Sequence, residues 1–234
     1  YCSSLFDFTD KSYVRPDMIC GGTGFDLTTK LDPKIESCHY DYSIYPECDY
    51  SILYFSRVCI RKCPFCVVSK KEGMIYPVEI KSLNPIGDHI KVMDNNFFAN
   101  PAWKKAVKYL LDTGQKVDLQ GVDIRIIDNK QIRALKELKH YKNLHIAWDN
   151  PKDNPTEKIK ELIKSVPAYK IMCYVLIGYW STEEEDLMRV ERLRELGVSP
   201  FVMPFNKSDS YQKRFARWVN HKAIFNTTKW SDYK

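Results

Sequence analysis

From residue 50 onward the apolar positions alternate between two rhythms. Short continuous runs give way to stretches in which apolar residues return every three to four positions. The first rhythm fits parallel strands and the second fits helices with one buried stripe. Tyr50 to Val58 is the first run. Ile90 to Met93 is the second, ending in Asp94-Asn95-Asn96. Asn100 is then placed to cap a helix with Pro101 at its first position, Trp103, Ala106, Val107, Leu110 and Leu111 on one face, and Gly114 at its end. Val117 to Ile127 is the third run, followed by a helix burying Ile132, Leu135 and Leu138. Leu144 to Trp148 is the fourth, ending in Asp149-Asn150, and Asn154-Pro155 opens a helix carrying Ile159, Leu162, Ile163 and Val166. Lys170 to Gly178 is the fifth. Ser181 to Glu184 fits a capping box for a helix that buries Leu187, Val190, Leu193 and Leu196 and stops at Gly197. Pro200 to Pro204 is the sixth run, and an amphipathic basic segment from about Tyr211 to Phe225 follows.

Strands alternating with helices of this length predict a parallel α/β fold. Six units in about 180 residues are too few for the eightfold barrel of about 250. Periodicity alone leaves two architectures open, a partial (β/α)6 barrel and an open doubly wound sheet. Residues 1–46 do not share the pattern. Tyr1 to Phe8 and Asp17 to Cys20 predict two strands, and Gly21-Gly22-Thr23-Gly24 a tight turn. That turn lacks the G-x-G-x-x-G spacing and the following helix of a dinucleotide site. Asp41 to Pro46 reads as a linker, so the predicted division is 1–46 and 47–234.

The chain has 234 residues, 44% of them hydrophobic, enough for a sizeable core. A net charge of +6 is mild basicity spread over many lysines. It is compatible with a nucleic-acid or phosphorylated partner, although solvated lysines on helix faces explain it more simply. Arg214, Arg217, His221 and Lys222 make the last helix basic on one face. No stretch approaches the roughly 20 apolar residues of a membrane span, and the first residues lack a signal pattern. The expectation is a cytoplasmic protein with no membrane partner.

The cysteines change this picture most. Three of the eight, Cys59, Cys63 and Cys66, stand at C-x-x-x-C-x-x-C spacing just after the first predicted strand, with Pro64 keeping their loop from becoming a regular helix. Three thiolates cannot close a tetrahedral zinc site without a distant fourth ligand. They can hold a [4Fe–4S] cluster by three irons and leave the fourth open. Cys2, Cys20, Cys38, Cys48 and Cys173 are scattered and read as small hydrophobes. The five histidines show no metal-binding spacing.

The loop resembles the C-x-x-x-C-x-Φ-C signature of the radical S-adenosylmethionine (radical SAM) superfamily, with Phe65 at the aromatic position. The resemblance implies a partial (β/α)6 barrel in which Cys59, Cys63 and Cys66 bind the cluster. It implies that the open iron chelates the methionine part of S-adenosylmethionine. Reductive cleavage, with electrons from a flavodoxin or ferredoxin, would then give a 5′-deoxyadenosyl radical that abstracts a substrate hydrogen. Residues 1–46 resemble the tail of the Rossmann-like cobalamin domain of one branch. They are too short for it and lack D-x-H-x-x-G, so cobalamin is not expected.

Further positions follow strand by strand. Asp94-Asn95-Asn96 stands where the superfamily has a Gly-Gly-Glu-like segment for the methionine amino group. It departs from that segment, leaving Asn95 or the backbone as a substitute and turn chemistry as the alternative. Asp118 and Gln120 share one face of the third strand, where Gly121 admits a close approach. Gln120 and Arg125 are candidates for contacts with S-adenosylmethionine or substrate, and surface ion pairing is the rival role for Arg125. Asp149 takes the ribose position, Ile177-Gly178 the adenine motif, and Met203-Pro204 the adenine border. Tyr174, Tyr179 and Trp180 line either the substrate side or the core. A nucleoside or RNA is the expected substrate. The rival functions are a nucleic-acid-binding protein with a structural zinc loop and a catalytically inactive superfamily member.

Overall fold

A computed structural model describes residues 1–233 and resolves the six predicted runs into six parallel strands in chain order. The N-terminal segment holds β1 (Cys2–Ser3) and β2 (Cys20–Gly21), paired in parallel, and the short helix α1 (Pro33–Ser37). There follow β3 (Tyr50–Leu53), β4 (Ser56–Arg57), α2 (Val68–Glu72), β5 (Tyr76–Pro77) and β6 (His89–Val92). Next come α3 (Trp103–Thr113), β7 (Lys116–Leu119), α4 (Asn129–Glu137), β8 (Leu144–Ala147) and α5 (Thr156–Ile163). The chain continues with β9 (Ile171–Ile177), α6 (Glu183–Glu195), β10 (Ser199–Pro204), α7 (Ser210–Asn220) and α8 (Lys222–Thr227).

β3, β6 and β7 form one parallel sheet and β8, β9 and β10 another. A single parallel bridge, Val122 to Ile146, joins them. The fold is therefore α/β with parallel sheets, and no closed barrel exists among the described residues. Strand order nowhere reverses along the β3–β6–β7 and β8–β9–β10 rows, whereas a doubly wound sheet requires a reversal. Crossovers of constant hand in such an order put their helices on one face.

That face carries the core. Leu53, Ile90, Val92, Val117, Leu119, Leu144, Ile146, Ile171, Cys173, Val175 and Val202 are all at most 1% exposed. They pack with Val107 and Leu110 of α3, Leu135 of α4, Leu162 of α5, Val190 and Leu193 of α6, and Phe215 of α7. Alternate residues turn to the other face, where Ile52, Lys91, His145, Tyr174, Phe201 and Met203 keep partial exposure. No described helix is long and apolar enough to cross a membrane.

Several predicted boundaries shift for local reasons. Asn100 does not cap α3. Its amide donates to the Phe55 carbonyl and its oxygen accepts from Ala102 N–H, so the helix begins at Trp103. The third strand ends at Leu119 rather than Ile127, because Phe97 N–H bonds the Gly121 carbonyl and the chain turns at Asp123. The capping box sits one residue later, on Thr182 and Glu185. Leu187 and Leu196 are only half-buried, since α6 buries Asp186 and Arg189 beside Val190 and Leu193. The last segment is two helices, with His221 ending α7 and capping α8. That break divides the predicted basic face, and Arg214 lies over the Trp230 ring while donating to the Tyr233 carbonyl. The two N-terminal strands shrink to two residues each.

Candidate active site at the strand ends

The cysteine loop is set by the ends of β3 and β6. The buried Asp94 carboxylate accepts from Phe55 N–H at 2.8 Å, Ser56 N–H at 2.7 Å and Ser56 Oγ at 2.6 Å. Burial pushes this carboxyl up from its ordinary value, against the pull of the Ser56 and Phe55 hydrogen bonds. Asp94 therefore ties the end of β6 to the turn out of β3, through bonds to residues 38 and 39 positions away rather than within its own turn. Two residues on, Val58 is fully buried at φ 74°. A β-branched residue in the left-handed region costs about 1–2 kcal/mol, so the packing around Val58 holds the chain there. Cys59 follows. Cys66 N–H then bonds the Cys63 carbonyl at 3.0 Å, closing a tight turn around Pro64.

All three thiols face one cavity of about 190 Å³. Phe65, Asn95, Gln120, Arg125 and Asp149 line it too, so five of the eight predicted cofactor contacts meet the three cysteines. Ile177, Gly178 and Met203 do not. Ile177 is fully buried in the core. Gly178 is exposed at φ 75°, where an added Cβ would overlap the Gln212 amide. Met203, on β10, pairs with Leu176 of β9. Gly121 does admit a close approach, since a Cβ there would overlap the Asp94 carbonyl and the Asn95 backbone.

Asp123 is the electrostatic centre of the cavity wall. It accepts from Arg61 Nε at 2.9 Å, from Arg125 Nε at 2.7 Å and Nη2 at 3.2 Å, and from Asn96 Nδ2 at 3.4 Å. Burial works to raise this carboxyl, but the bonds from Arg125 and Arg61 outweigh it and hold Asp123 below the ordinary carboxylate value. Arg125 also reaches Asp153 at 2.9 Å. Its guanidinium therefore lines the cavity while engaged by two carboxylates.

Two donors approach the Cys59 sulfur, Arg61 N–H at 3.3 Å and Asn96 Nδ2 at 3.6 Å. Donors of this kind stabilise a thiolate and any metal it holds. Burial raises the Cys63 thiol, opposed by the charge of Arg125. Burial likewise raises Asp149, whose Oδ1 is buried without a hydrogen-bond partner. Asn96 Oδ1 is unpartnered in the same way. Phe65 packs edge-on against Tyr179 and Trp180, with ring centroids 5.7 and 5.3 Å away, tying the cysteine loop to the segment after β9.

Among the described residues no three His, Cys, Asp or Glu side chains converge as a preformed metal-ligand set. The donor chemistry nevertheless fits an iron–sulfur cluster better than a lone cation. Three soft thiolates sit on one short loop, two N–H donors meet the first sulfur, and unpartnered polar oxygens lie in the surrounding wall. Larger concavities exist, about 440 Å³ beside Cys2 and Gly22 and about 650 Å³ beside Tyr42 and Cys48, each lined by one cysteine. Size alone would have selected those. The convergence of thiols, carboxylates and guanidinium groups selects the smaller cavity.

Asp123, Asn96, Arg61 and His145 were not among the predicted contacts. The spacing Asp123-x-Arg125 was the one local sign of the first, because a carboxylate two residues from an arginine can close on it. No protein-family model matches the chain, and no curated protein matches it.

Proposed function

We propose that this protein is a radical SAM enzyme built on a partial (β/α)6 barrel. The observation that carries this reading is the meeting of Cys59, Cys63, Cys66 and Phe65 with Asn95, Gln120 and Asp149 in one cavity. Those residues come from the cysteine loop and from the ends of β6, β7 and β8, the end of a parallel strand array where working groups collect. The unreversed strand order supports the partial barrel.

In this reading Cys59, Cys63 and Cys66 hold a [4Fe–4S] cluster. Such a cluster supplies the electron that cleaves S-adenosylmethionine to methionine and a 5′-deoxyadenosyl radical. Arg61 N–H and Asn96 stabilise the Cys59 thiolate. Asn95 and Gln120 are the polar side chains available to the methionine end, and Asp149, with its free oxygen, is the acceptor for ribose hydroxyls. Asp123 holds Arg61 and Arg125 in place around them. The aromatic ring of Phe65, braced by Tyr179 and Trp180, covers one side and excludes water. The substrate is a nucleoside or RNA, and the electron donor a flavodoxin- or ferredoxin-like protein.

Anaerobic reconstitution with iron and sulfide tests the proposal. The expected product is a brown protein with about four irons per chain. With a strong reductant and S-adenosylmethionine it releases 5′-deoxyadenosine. Replacing any one of Cys59, Cys63 and Cys66 by Ala should remove both properties while leaving the circular dichroism spectrum unchanged. A colourless zinc protein with no cleavage overturns the reading. A brown protein that never forms 5′-deoxyadenosine identifies an inactive member of the superfamily.

A further inference from the structure

The sheet face opposite the helices carries polar and aromatic side chains beyond those assigned to the cofactor. Lys91 and Asp118 are register partners on β6 and β7. The Lys91 ammonium nevertheless lies over the Tyr50 ring, 3.5 Å from its centroid. Asp118 is only 7% exposed, and its Oδ1 has no hydrogen-bond partner. An unsatisfied buried carboxylate oxygen is costly, so such a group generally marks a site completed by something else.

Its nearest basic neighbour is His145 on β8, with Nδ1 3.7 Å from Asp118 Oδ1 and 3.3 Å from the Leu119 carbonyl. The Leu119 carbonyl can only accept, so its hydrogen bond puts the ring proton on Nδ1 and leaves the lone pair on Nε2, while Asp118 Oδ1 lies beyond hydrogen-bond reach. The imidazole stacks offset on Tyr174 at 5.5 Å and 17°, and Tyr174 meets Phe201 edge-on at 5.7 Å. His145 and Tyr174 line the cysteine cavity, four residues down their strands from Asp149 and Gly178. They form its floor. Two aromatic rings, Phe65 and Tyr174, line the same cavity, and flat walls beside the Nε2 acceptor suit a planar ligand.

We propose that this floor is a second binding site, in which His145 Nε2 accepts a hydrogen bond from a planar ligand bearing N–H donors. Asp118 is the positioning residue. Its carboxylate, 3.7 Å from Nδ1, favours the proton on that nitrogen by charge rather than by a hydrogen bond, and the same charge favours a neutral or cationic ligand over an anion. The ligand class is a planar amidine or amino-substituted heterocycle. That this ligand is the substrate rests on the proposed function, whereas the binding itself does not.

The test uses the full-length protein without iron and two isosteric probes of opposite charge, benzamidine and benzoate. Benzamidine should bind at least about tenfold more tightly than benzoate, followed by NMR titration. Asp118→Asn and His145→Ala should each abolish that preference, and His145→Gln, which keeps an acceptor, should restore most of it. In the unaltered protein the imidazole ¹⁵N shifts of His145 should show the proton on Nδ1, a measurement that needs no variant to fold. Equal affinity for the two probes, no binding of either, a proton on Nε2, or an unchanged preference in Asp118→Asn would each overturn the proposal. Charge-selective binding without 5′-deoxyadenosine formation would leave the floor site standing and remove the radical chemistry. The converse result would do the opposite.

Discussion

The two sides of the cavity mouth are built on opposite principles. On the β8–β9 side, the guanidinium of the fully buried Arg189 donates to the carbonyls of Trp148 at 2.9 Å, Asp149 at 3.0 Å and Leu176 at 3.0 Å, to Glu185 at 3.3 Å, and to the Asp186 carboxylate at 2.6 Å. Asp186 also accepts from Ser181 Oγ and from Tyr211 Oη. One side chain thus fastens two strand ends to α6, and in doing so fixes the backbone that carries the Asp149 carboxylate. On the cysteine side, Cys59 receives two long contacts, Val58 sits at a positive φ, and an oxygen of Asn96 lacks a partner. The clamp satisfies itself from within the chain. The loop's polar and soft donors are not satisfied in that way.

The sharpest way to break this contrast is at the clamp. Arg189→Met should destabilise the protein by about 3–5 kcal/mol, because Asp186 is left buried without its cation. Urea denaturation checks this, and adding Asp186→Leu should recover most of the loss. Next in size is Asp123→Asn, at about 2 kcal/mol, since two charge-assisted bonds from Arg61 and Arg125 weaken together. Its signature is in acid. A carboxyl held below its ordinary value stabilises fully above about pH 4 and loses that contribution as pH falls through its native pKa. Denaturation midpoints should therefore fall more steeply below about pH 4 in the parent than in Asp123→Asn. A parallel fall in both would rule out this role for Asp123.

Gly178→Ala should cost about 1–2 kcal/mol, from the left-handed backbone and the Gln212 amide beside it. Thermal melting measures it, and no loss would mean that the segment after β9 relaxes freely. The smallest effect is expected in the loop. Val58→Gly removes a buried side chain but also relieves a positive φ, so it should be milder by about 1–2 kcal/mol than Val175→Gly in β9. Equal losses would show that Val58 carries no strain.

Much of the strand–helix order was legible because parallel strands and amphipathic helices write their burial locally. Ile90 to Val92 and Ile171 to Ile177 are read as runs, and Ile132, Leu135 and Gly114 by spacing. The cysteine loop was legible because its three ligand-type side chains lie within eight residues. Asp123 and His145 were not, since each takes its role from residues far along the chain, Arg61 in one case and Asp118 with Tyr174 in the other. Arg189 was hidden for the same reason. On a helix wheel it reads as a surface cation, and only the carbonyls of Trp148, Asp149 and Leu176, 13 to 41 positions away, make its burial tolerable.

By itself the sequence determined the α/β class, the chain order of six strands and a compact set of three thiols, because periodicity and short-range spacing follow from geometry within a few residues. Only the tertiary structure decided which strand ends share a cavity with those thiols. It engaged Arg125 with Asp123 and Asp153, withdrew Ile177 into the core, and left an oxygen of Asp118 without a partner. Long-range hydrogen bonds and ion pairs settle such matters, since whether a buried charge is satisfied depends on every strand packed around it.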